Sequence, residues 1–190
     1  MVALQKQTGI VVAEKQAGQD IPLTVNEDLD IPELPSPFHV LVRVLAVALN
    51  PTDFKMVQHF SKPGDTVGCD FVGVVVDRQH TSGAPLAVPA GTRVCGGTFP
   101  YNPKDPSNGS FAEYVTSDSR VLLKVPEQWD DLEAAALSGC GWGTAGLAFY
   151  DPEALALKGR PGHPIEQPQP VLVYGGATAT GTMAIQMLKL

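Results

Sequence analysis

Cysteine is scarce in this sequence: only Cys69, Cys95 and Cys140 occur, odd in number and outside any C-x-x-C pattern. That argues against a disulfide framework and a thiolate metal cluster, and it fits a reducing compartment. Charge is sparse as well, at 17% of residues, and no Lys/Arg cluster is present. With 13 basic against 20 acidic residues, the net charge of −7 offers no electrostatic grip on nucleic acid or an anionic membrane. Long apolar runs are missing too. Runs such as Phe71 to Val76, interrupted by Gly73, are far too short to cross a bilayer, and MVALQKQTGIVVAEKQ at the start lacks the apolar centre of a secretory signal. The expected location is the cytoplasm. At 190 residues the chain is also too short for two full-sized enzyme domains.

What is present is enough apolar material for a core, 44% of residues, punctuated by 19 glycines and 17 prolines. That composition favours short strands and turns over a helical bundle. Strand-like runs cover Thr8–Ala13, Val40–Leu49, Cys69–Asp77, Thr92–Cys95, Phe111–Thr116 and Val121–Val125. Helical signals start late. Asp130 and Asp131 open DDLEAAALSG, where acidic residues favour a helix N-terminus and alanines its interior, and a second helix is expected from Thr144 to about Tyr150. The proline-rich stretch 153–170 reads as a linker. Beyond it, Val171–Tyr174 is a strand-like run meeting Gly175-Gly176, and Met183, Met187 and Leu190 then fall at helical spacing.

A strand turning through glycines into a helix presents unpaired backbone N–H groups and a positive helix end, where a pyrophosphate can sit. Against G-x-G-x-x-G, the glycines fall at Gly176 and Gly181, with Thr178 in the middle position. Thr178, Thr180 and Thr182 can bond phosphate oxygens or cap the helix. Without a ligand, the same segment is a tight strand-to-helix turn.

Four blocks then occur in a recognisable order: ALNPTDFKM from Ala48, GCDFVGVVV from Gly68, GSFAEYV from Gly109 and AAALSGCGWGTAGLAFY from Ala134. Together with VYGGATAT from Val173, they resemble the medium-chain dehydrogenase/reductase superfamily, and within it the trans-acting enoyl reductases that serve fungal highly reducing polyketide synthases. The resemblance covers essentially the whole chain. It implies an α/β protein in which residues 1–152 form a GroES-like β-barrel with helices and residues 171–190 begin a Rossmann domain that stops early. It implies NADPH as cofactor and an acyl-carrier-bound enoyl thioester, held by a polyketide synthase, as substrate.

The same resemblance implies no metal. Zinc-dependent relatives carry a cysteine in the turn occupied here by Asn50-Pro51, and a His-Glu pair where this chain has Cys69-Asp70. Catalytic zinc needs about three protein ligands, and only a Cys-Asp remnant is left. The resemblance further implies catalytic roles for Lys55, as a charge or proton donor, and Thr144, as a hydroxyl donor. Thr52, Asp53, Phe54 and Lys55 would lie on the nicotinamide side of the cofactor. Gly175, Gly176, Ala177, Thr178, Ala179, Thr180 and Gly181 would hold its phosphates. Ala145, Gly146, Leu147, Ala148, Phe149, Tyr150, Asp151 and Pro152 would meet the acyl substrate.

Read from the residues alone, each has a plainer role: Lys55 a solvated lysine on a short helix, Asp53 a loop cap, Thr144 an N-cap, and Ala145 to Pro152 a packing helix. Tyr101, Trp142 and Phe149 could line an acyl channel or fill the core. Two classes therefore stand side by side, an enoyl reductase or a fragment of one, and a non-catalytic GroES-like module that binds a partner. A lone strand-turn-helix buries little, so residues 171–190 are expected to be loosely held and to bind NADPH weakly by themselves.

Overall fold

A computed structural model describes residues 6–78, 88–102 and 104–190. The chain divides into two compact units, Met1–Gly139 and Cys140–Leu190.

The first unit is built on antiparallel strands. β1 (Lys6–Val12) pairs with β2 (Leu23–Asp30), and a five-stranded sheet contains β3 (His39–Ala48), β4 (Asp70–Arg78), β5 (Arg93–Gly97), β6 (Tyr114–Asp118) and β7 (Leu123–Lys124) in the order β6-β3-β4-β5-β7. Bridges Gly9–Ala112 and Val11–Thr66 tie β1 to the loops beside that sheet. Alternation along β4 explains its central place. Phe71 and Val75 point to one face, where they pack with Val40, Val42, Val94 and Val115, while Val72 points to the other with Cys95 and the alanines of α2 (Asp131–Leu137). The acidic pair expected to open α2 does so: the Asp130 carboxylate accepts from the Glu133 backbone N–H, and the Glu133 carboxylate accepts in return from the Asp130 N–H.

Two elements depart from the sequence expectations, and the short helix read around Lys55 is present. β2 was not expected, because LTVNEDLD is half polar; it lies mostly exposed as the outer strand of its pair. That short helix, α1 (Pro51–His59), comes long before the alanine-rich segment; proline at its first position and Asp53 bonding back to the Asn50 N–H start it. The helix expected from Thr144 begins earlier, as α3 (Gly139–Tyr150), and passes straight through what reads as a glycine-rich turn. Packing accounts for those glycines. A Cβ on Gly139 would stand 2.6 Å from the Gly97 nitrogen, and one on Gly141 would stand 2.3 Å from the Met183 sulfur.

In the second unit α3 packs on α4 (Ala179–Met187) through Ala145, Phe149 and Ala184. The expected linker folds back on α3: the amides of Asp151, Leu155 and Leu157 donate to the carbonyls of Leu147, Ala148 and Phe149. Arg160 and His163 exchange a pair of backbone bonds within it. Residues 171–174 form no ladder among the described residues. Leu172 and Tyr174 are almost fully exposed, and Val171 and Val173 partly buried, which is an extended run with no strand beside it.

Candidate functional site

The first turn of α1 gathers four of the expected site residues, and its sequence dictates how they face. Asp53 is buried, Thr52 is half-buried, and Phe54 and Lys55 are exposed. The Asp53 Oδ2 accepts from the Asn50 backbone N–H at 2.8 Å, and the Asp53 N–H donates to the Asn50 carbonyl at 3.0 Å. Its Oδ1 is buried without a hydrogen-bond partner among the described residues. Burial holds the Asp53 carboxyl above the usual carboxylate range; the Asn50 N–H and the neighbouring Cys69 oppose that shift, and the charge of Asp70 adds to it. Asp53 is therefore a cap that holds the turn from behind. Lys55 makes no ion pair or hydrogen bond among the described residues and carries its ammonium outward from the same turn.

The surroundings of that turn are buried and polar. Asn50 Nδ2 donates to Asp70 Oδ2 at 2.9 Å. Tyr101 Oη donates to the Asp53 carbonyl at 3.2 Å, and the Gly68 N–H lies 3.5 Å from the same oxygen of Tyr101. Burial raises the Tyr101 phenol well above its usual range, so it stays protonated and able to donate. Tyr101 is thus a strut under α1, with Phe99 packed edge-on against its ring. Cys69 and Cys95 are fully buried. Burial, reinforced by Asp70, pushes the Cys95 thiol up to about 11, so it remains neutral at physiological pH.

No group of three or more His, Cys, Asp or Glu placed to hold a metal ion occurs among the described residues. The Asp70 Oδ2 accepts from the Asn50 amide, in the turn where zinc-dependent relatives would place a cysteine. The protein is expected to contain no stoichiometric zinc. Elemental analysis after chelator treatment checks this, and one zinc per chain would contradict it.

In the second unit, Thr144 sits in the middle of α3, exposed, and not at a helix start. Of the expected acyl contacts, Leu147 and Ala148 share the exposed face with Thr144. Ala145 and Phe149 are committed to packing against α4, which makes them core residues, and Gly146 and Tyr150 are partly buried. Asp151 closes the helix by accepting from the Glu153 N–H, and Pro152 is exposed beside it. Phe149 therefore fills the core, while Trp142 leaves a buried indole N–H without a partner among the described residues.

The glycine turn is shaped for close approach. Gly175 has φ +83°, a conformation that suits glycine, and a Cβ on Gly181 would lie 2.3 Å from the Gly175 carbonyl oxygen. The Thr178 hydroxyl donates to that carbonyl at 2.9 Å and accepts from the Gly181 N–H at 3.0 Å. Thr178 is thus the N-cap of α4, ahead of which the N–H groups of Ala179 and Thr180 precede the first intrahelical bond. Gly175, Ala177, Thr178 and Ala179 are exposed, and Gly176 and Thr180 partly so. These features fit a phosphate group, with donors at the helix end and no side chain in the way.

Residues 36–127 match the alcohol dehydrogenase GroES-like domain. Trans-enoyl reductase calK of Penicillium decumbens is 52% identical over 190 aligned residues, covering 97% of this chain and 51% of that protein. The chain carries a match to the GroES-like domain of alcohol dehydrogenases and is similar to trans-enoyl reductases. A second trans-enoyl reductase, sthE of Phaeosphaeria nodorum, is 54% identical over 180 residues, or 95% of this chain and 48% of its own length. Among solved structures, the quinone oxidoreductase from Coxiella burnetii matches with a TM-score of 0.66 at 27% identity, covering 97% of this chain and 54% of that one. The chain thus spans about half the length of the curated trans-enoyl reductases it matches. No helix of the described residues is long and apolar enough to cross a membrane.

What the sequence did not disclose is the group behind α1. Asn50 and Asp70 were read only as positions where zinc ligands are missing, and Tyr101 only as a channel wall or a core filler. The signal for Asn50 was available in N-P-T-D, a polar residue followed by proline with an acid three residues on, which is a helix start. Nothing local marks the contact between Asn50 and Asp70, which depends on how β3 and β4 pair.

Proposed function

We propose that this chain supplies the GroES-like part and the phosphate turn of an NADPH-dependent, trans-acting enoyl reductase. Its substrate would be the enoyl thioester of a polyketide chain held on a carrier domain of a synthase in the cytoplasm. The observation that carries this reading is the first turn of α1, pinned by Asp53 and Tyr101 and presenting Lys55 outward without a partner, in a chain so similar to named trans-enoyl reductases.

The cofactor, when bound, supplies hydride to the β-carbon of the enoyl group. Negative charge then moves to the thioester oxygen, and the α-carbon takes a proton. Lys55 answers that need, because an ammonium placed by a rigid turn stabilises developing charge without having to reorganise. Thr144 offers a second donor from the exposed face of α3. Thr52 and Phe54, beside Lys55, are assigned to the nicotinamide side, and the donors at Ala179 and Thr180, with the exposed Gly175 and the buried Gly181 that lets the turn close, to the phosphates. Leu147 and Ala148 are assigned to the acyl chain, the exposed apolar residues next to Thr144.

The test uses a chain of the relatives' full length, an unsaturated acyl thioester of pantetheine and NADPH. Consumption of NADPH with appearance of the saturated thioester supports the reading. A properly folded chain that leaves both unchanged would instead be a binding module.

A further inference from the structure

We infer that Asp70 is a positioning residue for the reductase, acting through Asn50 to set the direction in which α1 presents Lys55; this rests on the enoyl reductase reading above. Asp70 is 3% exposed, and a carboxylate so deep in a sheet costs several kcal/mol unless its hydrogen bonds compensate. Its backbone is as constrained as any in the unit. Asp70 is opposite Ala48 on β3 and Gly97 on β5, so it is held from both sides of the sheet, and its carbonyl accepts from the Ser110 hydroxyl at 3.0 Å.

From that fixed point the side chain reaches a single residue of the α1 cap. Asn50 Nδ2 to Asp70 Oδ2, at 2.9 Å, is a bond to an ionisable acceptor, the stronger kind when the acceptor carries charge. Asn50 in turn gives its backbone N–H to Asp53, which sits two residues before Lys55. A chain of short bonds therefore runs from the first residue of the central strand through the N-cap to the turn bearing the donor. Tyr101 closes the opposite side by bonding the Asp53 carbonyl. A capping pair alone would start the helix; the bond to Asp70 additionally fixes the helix end to the sheet.

The test is a reciprocal exchange in the full-length protein. Asn50→Asp sets two carboxylates against each other, and Asp70→Asn in the same chain restores one amide and one carboxylate in swapped order. Asn50→Asp is expected to lower kcat for the enoyl thioester about tenfold or more, with the KM for NADPH little changed, and the double variant to recover most of that loss. The ¹³Cε resonance of Lys55, assigned with Lys55→Arg, should shift in Asn50→Asp and return in the double variant. Melting temperatures for all three chains separate this from unfolding. An unshifted Lys55 resonance in Asn50→Asp, or a double variant no better than the single one, overturns the inference. If wild type reduces no thioester, the functional reading falls, and the Lys55 resonance still decides whether Asp70 positions the turn.

Discussion

Lys55→Ala in the full-length enzyme is expected to lower turnover of an enoyl thioester by about a hundredfold or more, while NADPH affinity changes only slightly. The reasoning follows from where the lysine stands. Its neighbour Asp53 faces inward and is buried, so the carboxylate does not neutralise the ammonium from the solvent side. The turn carrying Lys55 is held by Asn50 and Tyr101, so removing the side chain leaves its mount intact. A donor that meets charge appearing only in the transition state affects the rate far more than the binding of the cofactor. Measured kcat against the NADPH dissociation constant separates the two effects. Equal turnover in variant and wild type would return Lys55 to the role of a solvated lysine.

Gly109→Ala should be among the most destabilising single-methyl changes in the first unit, by about 3 kcal/mol or more in urea unfolding. A Cβ at residue 109 would stand 2.4 Å from the Val67 carbonyl oxygen and 2.6 Å from the Val67 nitrogen. Both are backbone atoms and cannot swing aside. Moving them disturbs the Thr66 hydroxyl, which accepts from the Gly109 N–H at 2.7 Å, and the Ser110 N–H bond to the Gly68 carbonyl at 2.9 Å. Gly143→Ala is the natural comparison: nothing lies within 4 Å of its Cβ position, and alanine in a helix is favoured over glycine by about 1 kcal/mol. A small or absent loss for Gly109→Ala would mean that the 67–68 segment yields more easily than its bonding implies.

The elements that could be read from sequence were those whose own pattern matches their surroundings. β3 and β4 are continuous apolar runs because they lie in the middle of the sheet, and α2 announces itself with an acidic cap and alanines. β2 could not be read that way, since an outer strand with one partner has little need of apolar residues. The start of α3 was hidden because Gly139 and Gly141 lower local helix propensity, yet close packing against Gly97 and Met183 requires them. Val171–Val173 has strand composition, but a strand is completed by its neighbour, and none is described beside it. At the site the same division holds. Lys55, Thr178 and the glycines were legible as a motif, whereas the contact of Asn50 with Asp70 spans 20 residues of sequence and comes into being only when the sheet registers β3 against β4.

That register ties local motion at the site to the stability of the sheet. Strands bonded on both sides open only with the whole unit, at free energies close to that of global unfolding, whereas helix ends ordinarily fray at almost no cost. Because the α1 cap is fastened to Asp70 at the start of such a strand, its fraying is restrained by a strand paired on both sides. Thermal fluctuation at the lysine-bearing turn is thus suppressed at its source, and its geometry persists until the sheet itself gives way.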